Sequence, residues 1–185
     1  NGISTSPSGT EAKDAAAKEY VLSIRLPAYI SKEIVRLKND FNKTYEHVQT
    51  EKSSPQIMLI KFMQREEKEE EMLHAISEVC AQHQPVEVRL KNFITPDNGI
   101  YINVANPSPI VKLLKSLDAK LNLQRSQSHY AWHPHITIAQ ALTAEKFEKS
   151  KPEFEKTEYA SSFITDSIQL MKRDSTHDHF LLMHE

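Results

Sequence analysis

Residues 132–139 read Trp132-His133-Pro134-His135-Ile136-Thr137-Ile138-Ala139. Side chains alternate between the two faces of a strand. Ile136 and Ile138 therefore enter a core together, while His135 and Thr137 share the opposite face. An imidazole near its ordinary pKa of about 6.5 gives or takes a proton near neutrality. A hydroxyl two positions along donates a hydrogen bond to a phosphate oxygen. The pair makes a compact half-site for phosphoryl chemistry that requires no metal. On this segment alone, a histidine simply satisfied at a strand end is an equal reading.

The composition narrows the possibilities around that segment. The chain has 185 residues, only three glycines (Gly2, Gly9 and Gly99) and one cysteine, Cys80. Walker loops and dinucleotide fingerprints need clustered glycines, because backbone amides must approach phosphate closely. A Gly-x-Ser-x-Gly nucleophile elbow is absent for the same reason. One cysteine forms no internal disulfide, no Cys-x-x-Cys pair and no thiolate-rich zinc site. Any phosphate here is held without a glycine loop. The formal charge of −2 argues against a broad footprint on duplex DNA. No apolar run approaches the roughly 18 residues of a membrane span. The lone cysteine fits a reducing, cytoplasmic setting.

The Ser-, Ala- and Gly-rich residues 1–18 read as a mobile tail, leaving 19–185 as one domain. Residues 20–26 alternate, with Tyr20, Leu22, Ile24 and Leu26 on one face and Ser23 and Arg25 on the other. Ile30, Ile34, Leu37 and Phe41 recur at helical spacing and predict a helix over 29–46. A second strand follows Pro55 at 56–63. An acidic run at 66–71 opens the next helix, where carboxylates suit the helix dipole. Strands at 86–94 and 100–105 flank Pro96-Asp97-Asn98-Gly99, an Asn-Gly hairpin signal. A third helix is expected at 108–121 and a strand at 135–140. Residues 146–156 read as a charged connection interrupted by Pro152, with room for a short helix. A closing hairpin is expected at 163–172 and 179–184, turning at 174–178. Helices and strands mix without strict parallel alternation, which predicts an α+β fold with mainly antiparallel sheets.

This arrangement resembles the 2H phosphoesterase superfamily, in its 2′-5′ RNA ligase-like or cyclic phosphodiesterase branch. The resemblance covers about residues 19–184. It rests on Pro134-His135-Ile136-Thr137-Ile138, on the opening strand that ends Leu26-Pro27, and on Gly99-Ile100-Tyr101. It implies two similar lobes with helices outside and a central cleft, each lobe contributing one His-x-Thr strand. One histidine then serves as general base and the other protonates the departing ribose oxygen. The threonines hold the phosphate. An RNA end or a small cyclic-phosphate nucleotide is the implied partner. His135 and Thr137 are the catalytic candidates.

The chain departs from the pattern on its second strand, where Gln56 stands for the histidine and Met58 for the threonine. Glutamine forms hydrogen bonds but shuttles no proton near neutrality, and methionine has no hydroxyl. Impaired turnover is therefore expected. Arg25 and Arg89 are candidates to pair with phosphate. Tyr101 is a candidate to stack on a base, and His133 to reach the cleft beside His135. Two rival readings stand. One is a non-catalytic module that binds a phosphate or an RNA end. The other is a metal site built from His133-x-His135 and His177-x-His179.

Overall fold

The computed structural model describes residues 17–48, 54–174 and 180–185. In chain order the elements are β1 (Lys18–Arg25), α1 (Ala28–Tyr45), β2 (Gln56–Gln64), α2 (Glu69–Ala81), β3 (Val86–Ile94), β4 (Ile100–Val104), α3 (Ser108–Leu121), β5 (Ser128–Tyr130), β6 (His135–Ala139), α4 (Ala144–Lys156), β7 (Ala160–Thr165), β8 (Gln169–Arg173) and β9 (Leu181–His184). They build two antiparallel sheets, ordered β5-β2-β1-β8-β9 and β6-β4-β3-β7. The expected α+β class, with helices outside the sheets, is what the chain adopts.

Each sheet buries one face under its own pair of helices. In the first sheet Tyr20, Leu22 and Ile24 of β1 lie opposite Phe62, Ile60 and Ile57 of β2, and all six are essentially inaccessible. Tyr20 stacks on Phe62 at 5.5 Å and donates its hydroxyl hydrogen bond to Glu69 of α2 (2.8 Å). Glu78 of α2 in turn pairs with Lys120 of α3 at 2.6 Å. The second sheet is covered by α1 and α4. Phe154 of α4 meets Phe41 of α1 at 5.7 Å and Phe93 of β3 at 5.0 Å. Edge-on and tilted aromatic contacts of this kind add to plain area burial.

A bulge decides which side chains face outward. Leu22 pairs with Ile60, yet Ser23 pairs with Met58, so β2 carries one extra residue there. Without it, strict alternation would place Gln56 and Met58 on the same face as Ile60 and Phe62. With it, Ile57, Ile60 and Phe62 all reach the core. Gln56 and Met58 turn to the polar face, opposite Arg25 and Ser23.

The structure alters five sequence expectations. Residues 146–156 are not an interrupted connection but most of α4, which runs through Pro152. Thr143 caps its start by accepting from Lys146 N–H (3.3 Å). Phe147 and Phe154, two turns apart, bury on one side, and this anchoring outweighs the backbone bond that Pro152 cannot make. The span 163–172 is two strands in different sheets, β7 and β8; only the β8–β9 half of the expected hairpin pairs. The short β5 had no alternating signal and pairs with β2. Residues 66–68 form a 3-10 turn, and α2 proper begins at Glu69. β1 begins at Lys18, the last residue assigned to the tail; the rest of the expected tail up to residue 16, and residues 175–178 of the expected turn, lie outside the described ones.

At the far end of the polar face of β1, Glu19 sits between Arg173 and Lys61. Burial alone would raise its pKa, but the hydrogen bonds and charges of these two cations hold it below the usual value of 4.5. A carboxyl depressed in the folded state contributes stability above its unfolded pKa. That contribution fades as pH falls through the folded value. Unfolding stability should therefore decline on acidification below about pH 4.5. Glu19→Gln should lower stability at neutral pH by about 1–2 kcal/mol and flatten the acid limb in urea titrations run from pH 7 to pH 3.

Candidate functional site

His135 opens β6, and its ring is held from two sides. Its Nδ1 lies 2.7 Å from the backbone carbonyl of His133. A carbonyl oxygen only accepts, so Nδ1 carries the proton and Nε2 of the neutral ring presents its lone pair. Tyr101 of β4 meets the imidazole edge-on at 4.6 Å. In register, Tyr101 lies opposite Thr137 and Asn103 opposite His135. Cross-strand partners share a face, so these four residues form one patch. All four are half-buried, while Ile136, Ile138 and Ala139 are in the core.

The β3–β4 turn supports that patch. Gly99 N–H bonds to Pro96 C=O (3.0 Å), and the two central residues, Asp97 and Asn98, both take positive φ. This matches a primed hairpin turn shifted one residue earlier than an Asn-Gly centre. Gly99 itself needs no left-handed backbone. A Cβ at position 99 would fall inside the van der Waals envelope of the Tyr101 ring and hydroxyl. The glycine is there so that Tyr101 can lie against the backbone beside His135. Burial, aided by the charge of Asp97, raises the Tyr101 pKa, so the phenol stays protonated.

The β2 side of the polar face is a hydrogen-bond network. Ser23, fully buried, donates from Oγ to Gln56 Oε1 at 2.8 Å. Gln169 of β8 donates from Nε2 to Ser23 Oγ (3.0 Å) and to Gln56 Oε1 (3.3 Å). Arg25 donates from Nε to Gln169 Oε1 (3.4 Å) and pairs through Nη2 with Glu185 at 2.8 Å. Met58 is half-buried beside this group, opposite Ser23. Sequence reading missed Gln169. The one available signal was a polar residue within the apolar run Ile168–Met171, and no motif marks it.

The chain itself brings β2 and β6 close together. β5 pairs with β2, and Ala131 N–H then bonds to the Leu59 carbonyl at 2.8 Å. Residues 131–134 cross from the first sheet to the second, so β6 starts where it runs within 8 Å of β2. Trp132, in this crossing, stacks on Tyr130 at 5.4 Å and stays partly exposed.

Other candidates are placed differently. His133 precedes β6 in an irregular bend, so strand alternation does not set its direction. Its side chain is exposed, and its contribution to His135 comes from the backbone carbonyl. Arg89 lies on β3, two strands from β6, opposite Ser162 of β7. Its side chain is exposed and has no ion-pair partner among the described residues. Among the described residues no three His, Cys, Asp or Glu side chains converge as metal ligands; His177 and His179 lie outside that set. No described helix is long and apolar enough to cross a membrane.

Comparison with known proteins adds to this geometry. Residues 26–177 match the family model of the 2′-5′ RNA ligase superfamily. An RNA 2′,3′-cyclic phosphodiesterase of Methanocaldococcus jannaschii is 29% identical over 140 residues, covering 73% of this chain and 78% of that protein. Among solved structures, E. coli LigT in apo form matches with a TM-score of 0.64 at 14% identity, over 92% of this chain and 96% of that one. E. coli LigT complexed with phosphate matches with a TM-score of 0.61 at 14% identity over the same shares. At such identities the likeness is one of fold.

The close fit of Tyr101 over Gly99 gives a direct check. Gly99→Ala should cost about 1–3 kcal/mol through overpacking and shift the His135 ring signals in NMR spectra. Adding Tyr101→Ala removes the obstructing ring, so the double variant should be less unstable than the sum of the two single changes. Strict additivity would show that position 99 does not act through Tyr101.

Proposed function

The chain belongs to the 2′-5′ RNA ligase superfamily, and we propose that it holds the terminal phosphate of RNA or a small cyclic-phosphate nucleotide between β2 and β6. His135 is the one group there that moves a proton. The observation that carries this reading is the His135 ring itself. Its Nδ1–H is committed to the His133 carbonyl, its Nε2 is left as the basic atom, and Thr137 lies on the same face. Thr137 donates to a phosphate oxygen. Tyr101, neutral and half-buried, flanks the imidazole. The relative from M. jannaschii bears the name RNA 2′,3′-cyclic phosphodiesterase, and E. coli LigT structures hold phosphate and 3′-AMP. Both support a phosphate-bearing nucleotide as the occupant.

Opening a 2′,3′-cyclic phosphate adds water at phosphorus and breaks one phosphorus–ribose oxygen bond. The water loses a proton and the departing ribose oxygen gains one. Two positioned groups would handle the two transfers; here β2 offers Gln56 and Met58, neither of which titrates near neutrality. One transfer is left to bulk water, and a positioned acid or base is worth about 10²–10⁴-fold. Slow turnover with retained binding follows. The same feature favours binding without turnover as the second reading.

Assays with adenosine 2′,3′-cyclic phosphate test both. Turnover should be slow and follow a single ionisation instead of a bell-shaped pH profile. His135→Ala should abolish it, by about 10²-fold or more. Gln56→His combined with Met58→Thr should raise it and restore a second ionisation. No hydrolysis by the wild type, with binding still lost in His135→Ala, would select the binding-only reading. A folded double variant with no gain would show that β2 is not the second half of the site.

A further inference from the structure

The Gln56 amide is polar at both ends, and its orientation decides what β2 offers a ligand. Its Oε1 already receives two hydrogen bonds, from Ser23 Oγ and from Gln169 Nε2. In the sheet order β5-β2-β1-β8-β9, both donors lie on the same side of β2. An amide oxygen turned toward β1 and β8 leaves the NH2 group turned away from them. On that other side of β2 lie β5 and the start of β6.

The order of donors and acceptors has a fixed origin. Either glutamine could be reversed by half a turn about its last bond, and a hydroxyl can donate or accept. An arginine can only donate. Arg25 Nε–H points at Gln169 Oε1, which sets the Gln169 oxygen toward Arg25 and its NH2 toward Ser23 and Gln56. That NH2 then requires an acceptor at Gln56. Reversing Gln169 would set two donors face to face at Arg25. Glu185, bonded to Arg25 at 2.8 Å and to Ser167 Oγ at 3.2 Å, holds the arginine in place.

We infer that Gln169 and Ser23 are positioning residues, with Arg25 setting their polarity, that lock Gln56 so its NH2 is a permanent hydrogen-bond donor to a phosphate oxygen in the cleft. This rests on the phosphate-binding reading above and sharpens it. The β2 half-site recognises an oxygen acceptor by a neutral donor whose strength does not change with pH. Arg25 then acts chiefly through the network and not as the direct phosphate partner. The site favours a ligand whose phosphate oxygen facing β2 is unprotonated.

Binding of inorganic phosphate and of adenosine 2′,3′-cyclic phosphate, followed by calorimetry and by the side-chain amide signals of Gln56, tests the inference. In the wild type the Gln56 NH2 signals should shift on addition of either probe. Gln169→Glu puts an acceptor where a donor stood, so Gln56 should turn round and affinity should fall at least tenfold. Gln169→Leu is the neutral control. It frees the amide without reversing it, and affinity should fall severalfold with broadened or doubled Gln56 signals. Ser23→Ala should give a milder version of the same change. Thermal unfolding checks that each variant remains folded, and Arg25→Lys, which still donates, should keep most of the affinity.

If Gln169→Leu binds both probes as tightly as the wild type and only Gln169→Glu weakens, the effect is charge repulsion and the inference is overturned. It is also overturned if Gln56→Ala loses affinity while Gln169→Leu and Ser23→Ala leave the Gln56 signals unmoved; the function proposed above then survives. If His135→Ala and Gln56→Ala both bind the probes as the wild type does, it is the phosphate-binding reading itself that fails.

Discussion

The hydrogen bond from Ala131 N–H to the Leu59 carbonyl ends the pairing of β5 with β2 and begins the crossing to the other sheet. Four residues later the chain is in β6 and His135 is in place. Because the crossing is short and bonded at its origin, β6 has to start close to β2. The His133 carbonyl that fixes the His135 ring belongs to the same crossing. One short crossing thus holds β6 near β2 and carries the carbonyl that fixes the histidine ring.

The two patches then solve different problems. Around His135 the surroundings fix a titratable ring: a carbonyl on Nδ1, an aromatic edge on its flank, and a glycine that leaves room for that aromatic. Around Gln56 the surroundings fix a group that does not titrate. The expense of burying Ser23 and Gln169 is met by mutual hydrogen bonds, since an unpartnered polar group in such a place would cost about 1–3 kcal/mol. The polar network is as closely specified as the histidine site, but around an amide that does not titrate.

How much of this was legible in the sequence depended on whether the signal was local. The strand at 135–139 was legible because alternation alone separates His135 and Thr137 from Ile136 and Ile138. The helix at 108–121 was legible from four leucines and isoleucines at helical spacing. The helical character of 146–156 was hidden by Pro152 and by high charge. What holds α4 in place is Phe154 packing on residues more than fifty positions away in sequence, Phe93 and Phe41. The break between β7 and β8 was hidden because two strands that follow closely in sequence join different sheets. In the site, Gln56 and Met58 were recognisable as departures from a pattern. Gln169 was not, because its role exists only through partners on β1 and β2, 146 and 113 residues away. The bulge at Leu59 left a trace, the doubled Leu59-Ile60 within an alternating run, whose meaning appears only once the register with β1 is known.

A histidine and a glutamine at equivalent positions differ in more than proton transfer. A neutral imidazole chooses its tautomer from one partner, as His135 does from the His133 carbonyl. A primary amide has two ends of nearly equal size, and a single flexible partner such as a serine hydroxyl does not choose between them. The choice must come from a group that cannot reverse its own role. In this chain that group is a guanidinium, reached through a second amide, which explains why a buried glutamine stands between Arg25 and Gln56. Glycine is so scarce that no glycine-rich loop of backbone amides is available here. The orientation that such a loop would fix through its covalent geometry has to be supplied by side chains on three adjacent strands. The register of β2, β1 and β8 therefore matters to this network as much as the residues themselves: a slip of one position in β8 would replace Gln169 by Leu170 and leave the Gln56 amide without a direction.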